Sequence, residues 1–492
     1  MIDAPNHDAN PARDRDSGLA RTVRSAVLWR SGAQIVAQLV QWSATFLVIR
    51  ILAPEDYGLF AMTGVILAFT ALLDGYGLAS ALVRQPHITA RQIRQALGVL
   101  IILNGTLSVT QIVAAPWVAA YYRQPEIVAL LRVQAFMYLT TPFIALPAAL
   151  LSRRMDFRAQ AKANMLAALA AALTALGTAL AGWGVWTLVA APFVLYATRA
   201  VAMSRAARFA MVPLFDWRGI GHLVRYGGMM ALGQLFWFIQ TQADVAIAGR
   251  YLTPHRLGIY TTSLFLAQIL VAKFVPPLNE VAFSAYARLQ HDRTARAQAF
   301  VKGVRIVMAA ALPFYLGLAV TAEPLVLTVL GGKWREAIPV VRWLALAMPF
   351  MTLQVLYQPA CDAIGRPGIS VRNGATGAAI MTIAFLIGIT HGVTGLALAW
   401  VGGYPLYLLI ASRRALPAIG ARARDVIGAI LPPLLAAAAM AMIVLLLDRF
   451  LALPDPAGRL AILVPTGAAS YAVLLWIVAR RLVRELYSLA RR

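Results

Sequence analysis

The chain has 492 residues, of which 60% are apolar, and carries a formal charge of +24. Soluble domains sit nearer 45–50% apolar, so an interior of this size cannot hide the surplus and a bilayer must supply the apolar solvent. A single cysteine, Cys361, excludes an intramolecular disulfide, and no Cys/His cluster suggests a metal or a cofactor.

Residues 1–25 lack the apolar core of a signal peptide and read as a disordered cytoplasmic tail. Apolar runs follow at 27–49, 58–83, 96–119, 127–151, 161–181, 185–203, 226–248, 257–281, 303–322, 338–360, 372–390, 393–411, 426–447 and 460–479. Each is too long and too continuously apolar for a barrel strand, so the expected fold is all-α and polytopic, with about 14 transmembrane helices. Runs eleven and twelve are separated by a tight turn only.

Assigning alternate gaps to the N-terminal side places 32 Lys and Arg there and eight opposite. The remaining four, Arg30, Arg132, Lys273 and Arg342, lie within spans. Basic residues collect in cytoplasmic loops, so both termini are expected to be cytoplasmic. The positive charge is then topology, and no nucleic-acid partner is expected.

The chain repeats itself. RILAPEDYGLF from Arg50 and RYLTPHRLGIY from Arg250 share R-x-L-x-P-x-x-x-G-aliphatic-aromatic. Glu126 and Arg132 match Glu336 and Arg342, Pro147 and Arg154 match Pro359 and Arg366, and Ser204-Arg205 match Ser412-Arg413. Six spans separate equivalent points, which makes the halves parallel repeats, an arrangement transporters use for alternating access. The expected domains are six-helix bundles over 26–210 and 211–415, with two additional helices and a basic tail over 416–492.

Polar residues interrupt the leading span of each half. Arg30, Gln34, Gln38, Gln41 and Thr45 step by 4, 4, 3 and 4, and so share one helix face. Gln234, Thr241 and Asp244 step by 7 and 3, with Gln240 beside them. Polar groups facing lipid are costly, so these stripes either line a cavity or hydrogen-bond between helices. Arg30, Arg132, Lys273 and Arg342 either snorkel to the headgroups or hold an anionic group such as a phosphate. Asp74 and Asp244 are candidates for ion coupling, with a structural ion pair as the alternative.

No Walker A, G-x-S-x-G or H-E-x-x-H sequence occurs. The longest non-cytoplasmic gap, near Ala322–Ile338, holds only Glu323 and Glu336 as acids. The expectation is therefore a protein that is not an enzyme. An integral-membrane polymerase, ligase or glycosyltransferase of polysaccharide assembly, or a small-molecule exporter, are the alternatives.

The segment from Ser31 to Gln85, and above all Arg50–Phe60, resembles the polysaccharide-transporter (Wzx-like) branch of the multidrug/oligosaccharidyl-lipid/polysaccharide flippases. Gly77–Gln85 (GLASALVRQ) and Leu151–Ala161 (LSRRMDFRAQA) add to the likeness, which extends over nearly the whole chain. The resemblance implies a V-shaped pair of bundles in the bacterial inner membrane. It implies export of an undecaprenyl-diphosphate-linked oligosaccharide for lipopolysaccharide or exopolysaccharide biosynthesis. Implied partners are the lipid-linked anionic oligosaccharide, membrane lipid, and polymerase and chain-length proteins of the pathway; the chain itself is expected to be a monomer. Arg30, Arg132, Lys273 and Arg342 would then meet diphosphate or acidic sugar, and Gln34, Gln38, Gln41, Gln234 and Gln240 sugar hydroxyls. The loop signature itself reads as architectural.

Overall fold

A computed structural model of the chain describes residues 38, 41–74, 88–216, 221–450 and 453–480, with the side chains of 221–234 outside that description. The described residues are helical, with no strand among them. Ten of their helical segments are long and apolar enough to cross a membrane. The protein is a multi-pass membrane protein of the all-α class. One of the ten segments, Pro367–Ile419, contains two helices, Pro367–Gly388 and Gly392–Ile419, joined by a 3-10 turn at Ile389–His391. That is the tight turn expected between runs eleven and twelve.

Helix starts have local causes. Asp292 caps the Arg293–Val320 helix by accepting from the Thr294 and Ala295 N–H groups, both at 2.9 Å. Asp156 and Asp455 do the same for Phe157–Leu180 and Pro456–Val478. Thr89 and Gln92 form a reciprocal capping box before Ala90–Tyr122. Breaks are equally local. Pro142 has no N–H to give Tyr138, and Thr141 donates to that carbonyl instead at 3.0 Å. The run therefore tightens to a 3-10 turn over Phe136–Thr140 before Pro142–Arg153 begins.

The chain forms two compact units. The first gathers the described residues within Met1–Val48, Leu72–Trp117 and Val128–Ala231. Its core packs Leu97, Leu100, Ala145 and Leu146. The extended segment at 209–216 lies along the Ala90 helix there, with Leu214 N–H donating to the Arg94 carbonyl at 2.9 Å. Gly98 permits the approach, since a Cβ at that position would sit 2.5 Å from the Leu214 carbonyl oxygen.

The second unit gathers the described residues within Ile49–Ala71, Val118–Ile127 and Leu232–Arg492. It thus takes two short pieces from the first sequence repeat. The additional helices at its end, Ala423–Phe450 and Pro456–Val478, pack on Arg293–Val320 through Ala309, Ala436, Leu475 and Tyr471. Tyr471 donates its hydroxyl to the Ala309 carbonyl at 2.7 Å. Within the same unit Gly388 and Gly395 bring the two helices of the Pro367–Ile419 hairpin into backbone contact: a Cβ on Gly395 would lie 2.0 Å from the Gly388 oxygen.

Removing a helix cap tests this account of the helix starts. Asp292→Ala is expected to cost about 1 kcal/mol, as cap deletions do. Thermal unfolding of the detergent-solubilised protein should show a lowered midpoint, and Asp292→Asn, which keeps an acceptor, should recover most of it.

Candidate functional site

The two copies of the repeated signature meet each other inside the second unit. The Pro54–Ala71 and Pro254–Arg288 helices both begin with proline at their first turn, where a missing N–H costs nothing. Four residues on, each carries a glycine. A Cβ on Gly58 would lie 1.9 Å from the Pro254 carbonyl oxygen, and one on Gly258 would lie 1.8 Å from that of Pro54. The contact is reciprocal, and any side chain at either position excludes it.

The other signature positions reinforce the same junction. Arg50 donates to the Thr328 carbonyl at 2.7 Å. Arg250 donates to the carbonyls of Tyr121 and Ala120 at the end of the Ala90–Tyr122 helix, where its charge also meets the negative end of the helix dipole. Tyr122 lies under Gly249, whose Cβ would be 2.6 Å from the ring. His255, the counterpart of Glu55, donates through Nδ1 to the Glu55 carboxylate at 2.7 Å, while its Nε2 lies 3.5 Å from Glu336.

The gap near Ala322–Ile338 is built rather than loose. It holds a short helix at Ala322–Leu325, a π turn at Val326–Leu330 and a 3-10 turn at Gly332–Trp334. The fully buried Trp334 donates to the Ile49 carbonyl at 3.0 Å, and Lys333 donates to that of Ile51 at 3.0 Å. Both of its acids have basic partners: Glu336 faces His255, and Glu323 lies 3.8 Å from Arg342 and 4.0 Å from Arg459.

A second constellation lies in the interior of this unit. Asp244, 0% exposed, accepts from the Tyr260 hydroxyl at 2.7 Å. Tyr260 in turn accepts from the indole N–H of Trp400 at 2.8 Å. Trp400 stacks on Tyr404 at 5.2 Å between centroids, and Tyr404 accepts from the Gln240 amide at 3.0 Å. Gln354 donates to Tyr407 at 2.9 Å. Four helices contribute, those containing residues 240–244, 260, 354 and 400–407. No cation pairs with Asp244 among the described residues. A buried carboxylate without a cation is costly, so this group suits a proton or a bound cation.

The candidates read from the sequence separate as follows. Arg30 and Gln34 lie outside the described residues, as does the side chain of Gln234. Gln38 is half-buried and Gln41 exposed. Arg132, in the first unit, and Lys273, in the second, are exposed. Arg342 is exposed beside Glu323. Asp74 is half-buried, and its carbonyl accepts from Asn104 at 3.0 Å. Gln240 is 1% exposed and engaged by Tyr404, which places it in the interior network and not on a surface. Sequence reading missed Tyr260, Trp400, Tyr404, Tyr407 and Gln354. The signal was present in part, because 400, 404 and 407 step by 4 and 3 along one helix face.

Comparison with known proteins gives a consistent picture. The family model described as "Polysaccharide biosynthesis protein" matches residues 47–339. The chain is 26% identical to the succinoglycan biosynthesis transport protein ExoT of Rhizobium meliloti (strain 1021), over 96% of each chain. It is 24% identical to the teichuronic acid biosynthesis protein TuaB of Bacillus subtilis (strain 168), over 83% of this chain and 85% of that one. Among solved structures, the lipid II flippase MurJ in its inward closed conformation superposes with a TM-score of 0.74 at 12% identity, covering 93% of this chain and all of MurJ. An inward-facing multidrug resistance MATE transporter gives 0.58 at 19% identity, over 78% and 94%. The chain therefore has the fold that these proteins share.

The reciprocal contact predicts a sharp contrast between glycines of one helix. Gly58→Ala should destabilise by about 1–3 kcal/mol or more through overpacking against backbone. Gly64→Ala, where a Cβ meets nothing within 4 Å, should be neutral or stabilise by a few tenths to about 1 kcal/mol. Equal melting temperatures for the two variants would remove the contact from any structural role.

Proposed function

The chain belongs to the polysaccharide biosynthesis protein family, and from that premise we propose that it is a flippase. Its cargo is an undecaprenyl-diphosphate-linked oligosaccharide repeat unit, moved across the bacterial inner membrane by alternating access for surface polysaccharide biosynthesis. The observation that carries the reading is the full-length relation to a succinoglycan transport protein, joined to the fold shared with a lipid II flippase. The reading places both termini in the cytoplasm, in line with the distribution of Lys and Arg.

In this reading the duplication supplies two halves that rock against each other, and the matching Arg50 and Arg250 signatures support it. The exposed Lys273 and Arg132, with Arg342 and Arg30, hold diphosphate or acidic sugar. Gln34, Gln38, Gln41 and Gln234 hydrogen-bond sugar hydroxyls. Gln240 acts by holding Tyr404. Asp244 couples transport to an ion gradient by exchanging a proton or a cation beside Tyr260, and Asp74 is the corresponding candidate in the first unit. The protein acts as a monomer and hands its cargo to polymerase and chain-length proteins. The acids of the Ala322–Ile338 gap face basic side chains, Glu336 beside His255 and Glu323 beside Arg342 and Arg459, which favours transport over an enzyme built on that gap.

Deleting the gene and analysing lipid-linked oligosaccharides tests the function. Repeat units should accumulate on the cytoplasmic leaflet, and accumulation of unfinished repeat units instead would favour an enzyme. Complementation with Lys273→Ala or Arg30→Ala should leave protein levels intact and abolish export; full export by both removes the cationic role.

Asp244→Asn retains a hydrogen-bond acceptor for Tyr260 but cannot lose a proton. In proteoliposomes it should transport without dependence on the imposed ion gradient, or not at all. A wild-type gradient dependence in that variant overturns the coupling role.

A further inference from the structure

The hairpin formed by Pro367–Gly388 and Gly392–Ile419 carries a trough on its outer surface. Beyond the close contact of Gly388 with Gly395, the small residues Ala384, Ala399, Gly402 and Gly403 keep its floor low. Ile383, Ile387, Leu398 and Leu406 wall it, and Ile387 is 64% exposed. Its volume is about 810 Å³. From His391 to Leu406 the helix advances about 22 Å at 1.5 Å per residue. That exceeds the roughly 15 Å depth of one hydrocarbon leaflet by the thickness of a headgroup attachment.

The trough does not end blindly. At the turn it meets a second pocket of about 350 Å³, lined by Arg256, Glu336, Pro339, His391 and Thr394 among others. His391 and Thr394 line both cavities. Arg256 is exposed, and its guanidinium has no hydrogen-bond or ion-pair partner among the described residues. The pocket's carboxylate, Glu336, is already faced by His255 at 3.5 Å. The Thr390 hydroxyl donates to the Ile387 carbonyl at 2.6 Å, so His391 Nδ1, 3.0 Å from Thr390 Oγ1, donates to it and the other ring nitrogen is left as an acceptor.

An apolar channel of leaflet depth that opens onto an unpaired guanidinium has the chemistry of an amphiphile with an anionic head. We propose that this hairpin binds an anionic phospholipid of the bilayer. One acyl chain fills the trough, the phosphate accepts from Arg256, and a hydroxyl of the head donates to the free ring nitrogen of His391. Glu336 and Thr394 add acceptors beside the phosphate, which fits a head that also carries hydroxyl donors, as phosphatidylglycerol does. By the charge distribution of the loops, the turn at Ile389–His391 belongs to the non-cytoplasmic leaflet. The site is separate from the cationic residues assigned to cargo, and its existence does not depend on that assignment.

Native mass spectrometry of the full-length protein tests it, with equimolar phosphatidylglycerol and phosphatidylethanolamine of identical chains. The wild type should retain phosphatidylglycerol about tenfold over phosphatidylethanolamine, the scale of one charge-assisted hydrogen-bonded contact. Arg256→Gln should bring retention of the two lipids to the same level. Gly402→Phe, placed where a Cβ meets nothing within 4 Å, fills the trough and should reduce retention of both lipids while leaving the melting temperature near that of the wild type. Equal retention by the wild type overturns the proposal, as does an unchanged preference in Arg256→Gln. So does preferential retention of undecaprenyl phosphate when it is added as a third competitor, because the trough would then belong to an isoprenoid cargo.

Discussion

Two glycines hold the architecture of the second unit together. Gly58 and Gly258 each lie against the carbonyl that opens the other's helix, at separations that leave no room for a single carbon atom. Glycine in a helix costs roughly 0.5–1 kcal/mol relative to alanine. That cost is offset by what the close approach permits. With the Pro54 and Pro254 helices in backbone contact, His255 reaches Glu55, and beside this junction Arg50 donates to Thr328 and Trp334 to Ile49. The His255–Glu55 contact is the one that bridges the two helix starts, and it depends directly on their spacing.

The bilayer explains why the contact is made with backbone and buried partners. In lipid, association gains little from burying apolar surface, since tails are as apolar as leucine, and close packing of small residues takes over. The same device recurs at Gly388 and Gly395. Helix ends face the complementary problem of unpaired carbonyls. Arg250 answers it at Ala120 and Tyr121, and Lys333 and Trp334 answer it at Ile51 and Ile49. The junction thus combines tight backbone contact from the repeated signature with helix termini satisfied by the signature's Arg250 and by Lys333 and Trp334 of the Ala322–Ile338 gap.

The helical runs were legible because each needs about 20 apolar residues, and the helices at Phe157, Val185, Arg293 and Ala423 begin within a few residues of a cap or a glycine. Reading the loop signature as architectural agrees with its reciprocal contact, but the contact itself was not legible. A one-dimensional repeat shows which positions correspond and is silent on whether the copies touch. The polar stripe was ambiguous for a related reason. A glutamine facing water and a glutamine facing a tyrosine hydroxyl have the same pattern in the sequence, and Gln240 is of the second kind.

Asp244 shows how the two levels join. Its position was legible as an acid within an apolar run, but its environment depends on aromatic residues of a helix more than 100 positions away, Trp400 and Tyr404. A carboxylate on a solvated surface would need no such shell. Here one oxygen is held by Tyr260, the other by the Val245 N–H, and no basic side chain is paired with it among the described residues. The same unit carries Arg50, Arg250, Arg459 and Lys333, each bound to a carbonyl or to an acid near a helix end. Those cations meet helix ends, as does the buried Arg296, whose guanidinium donates to the carbonyls of Gln290, Ala418 and Ile419. An acid without a cationic partner is free to change its charge, and the proposed coupling role rests on that freedom.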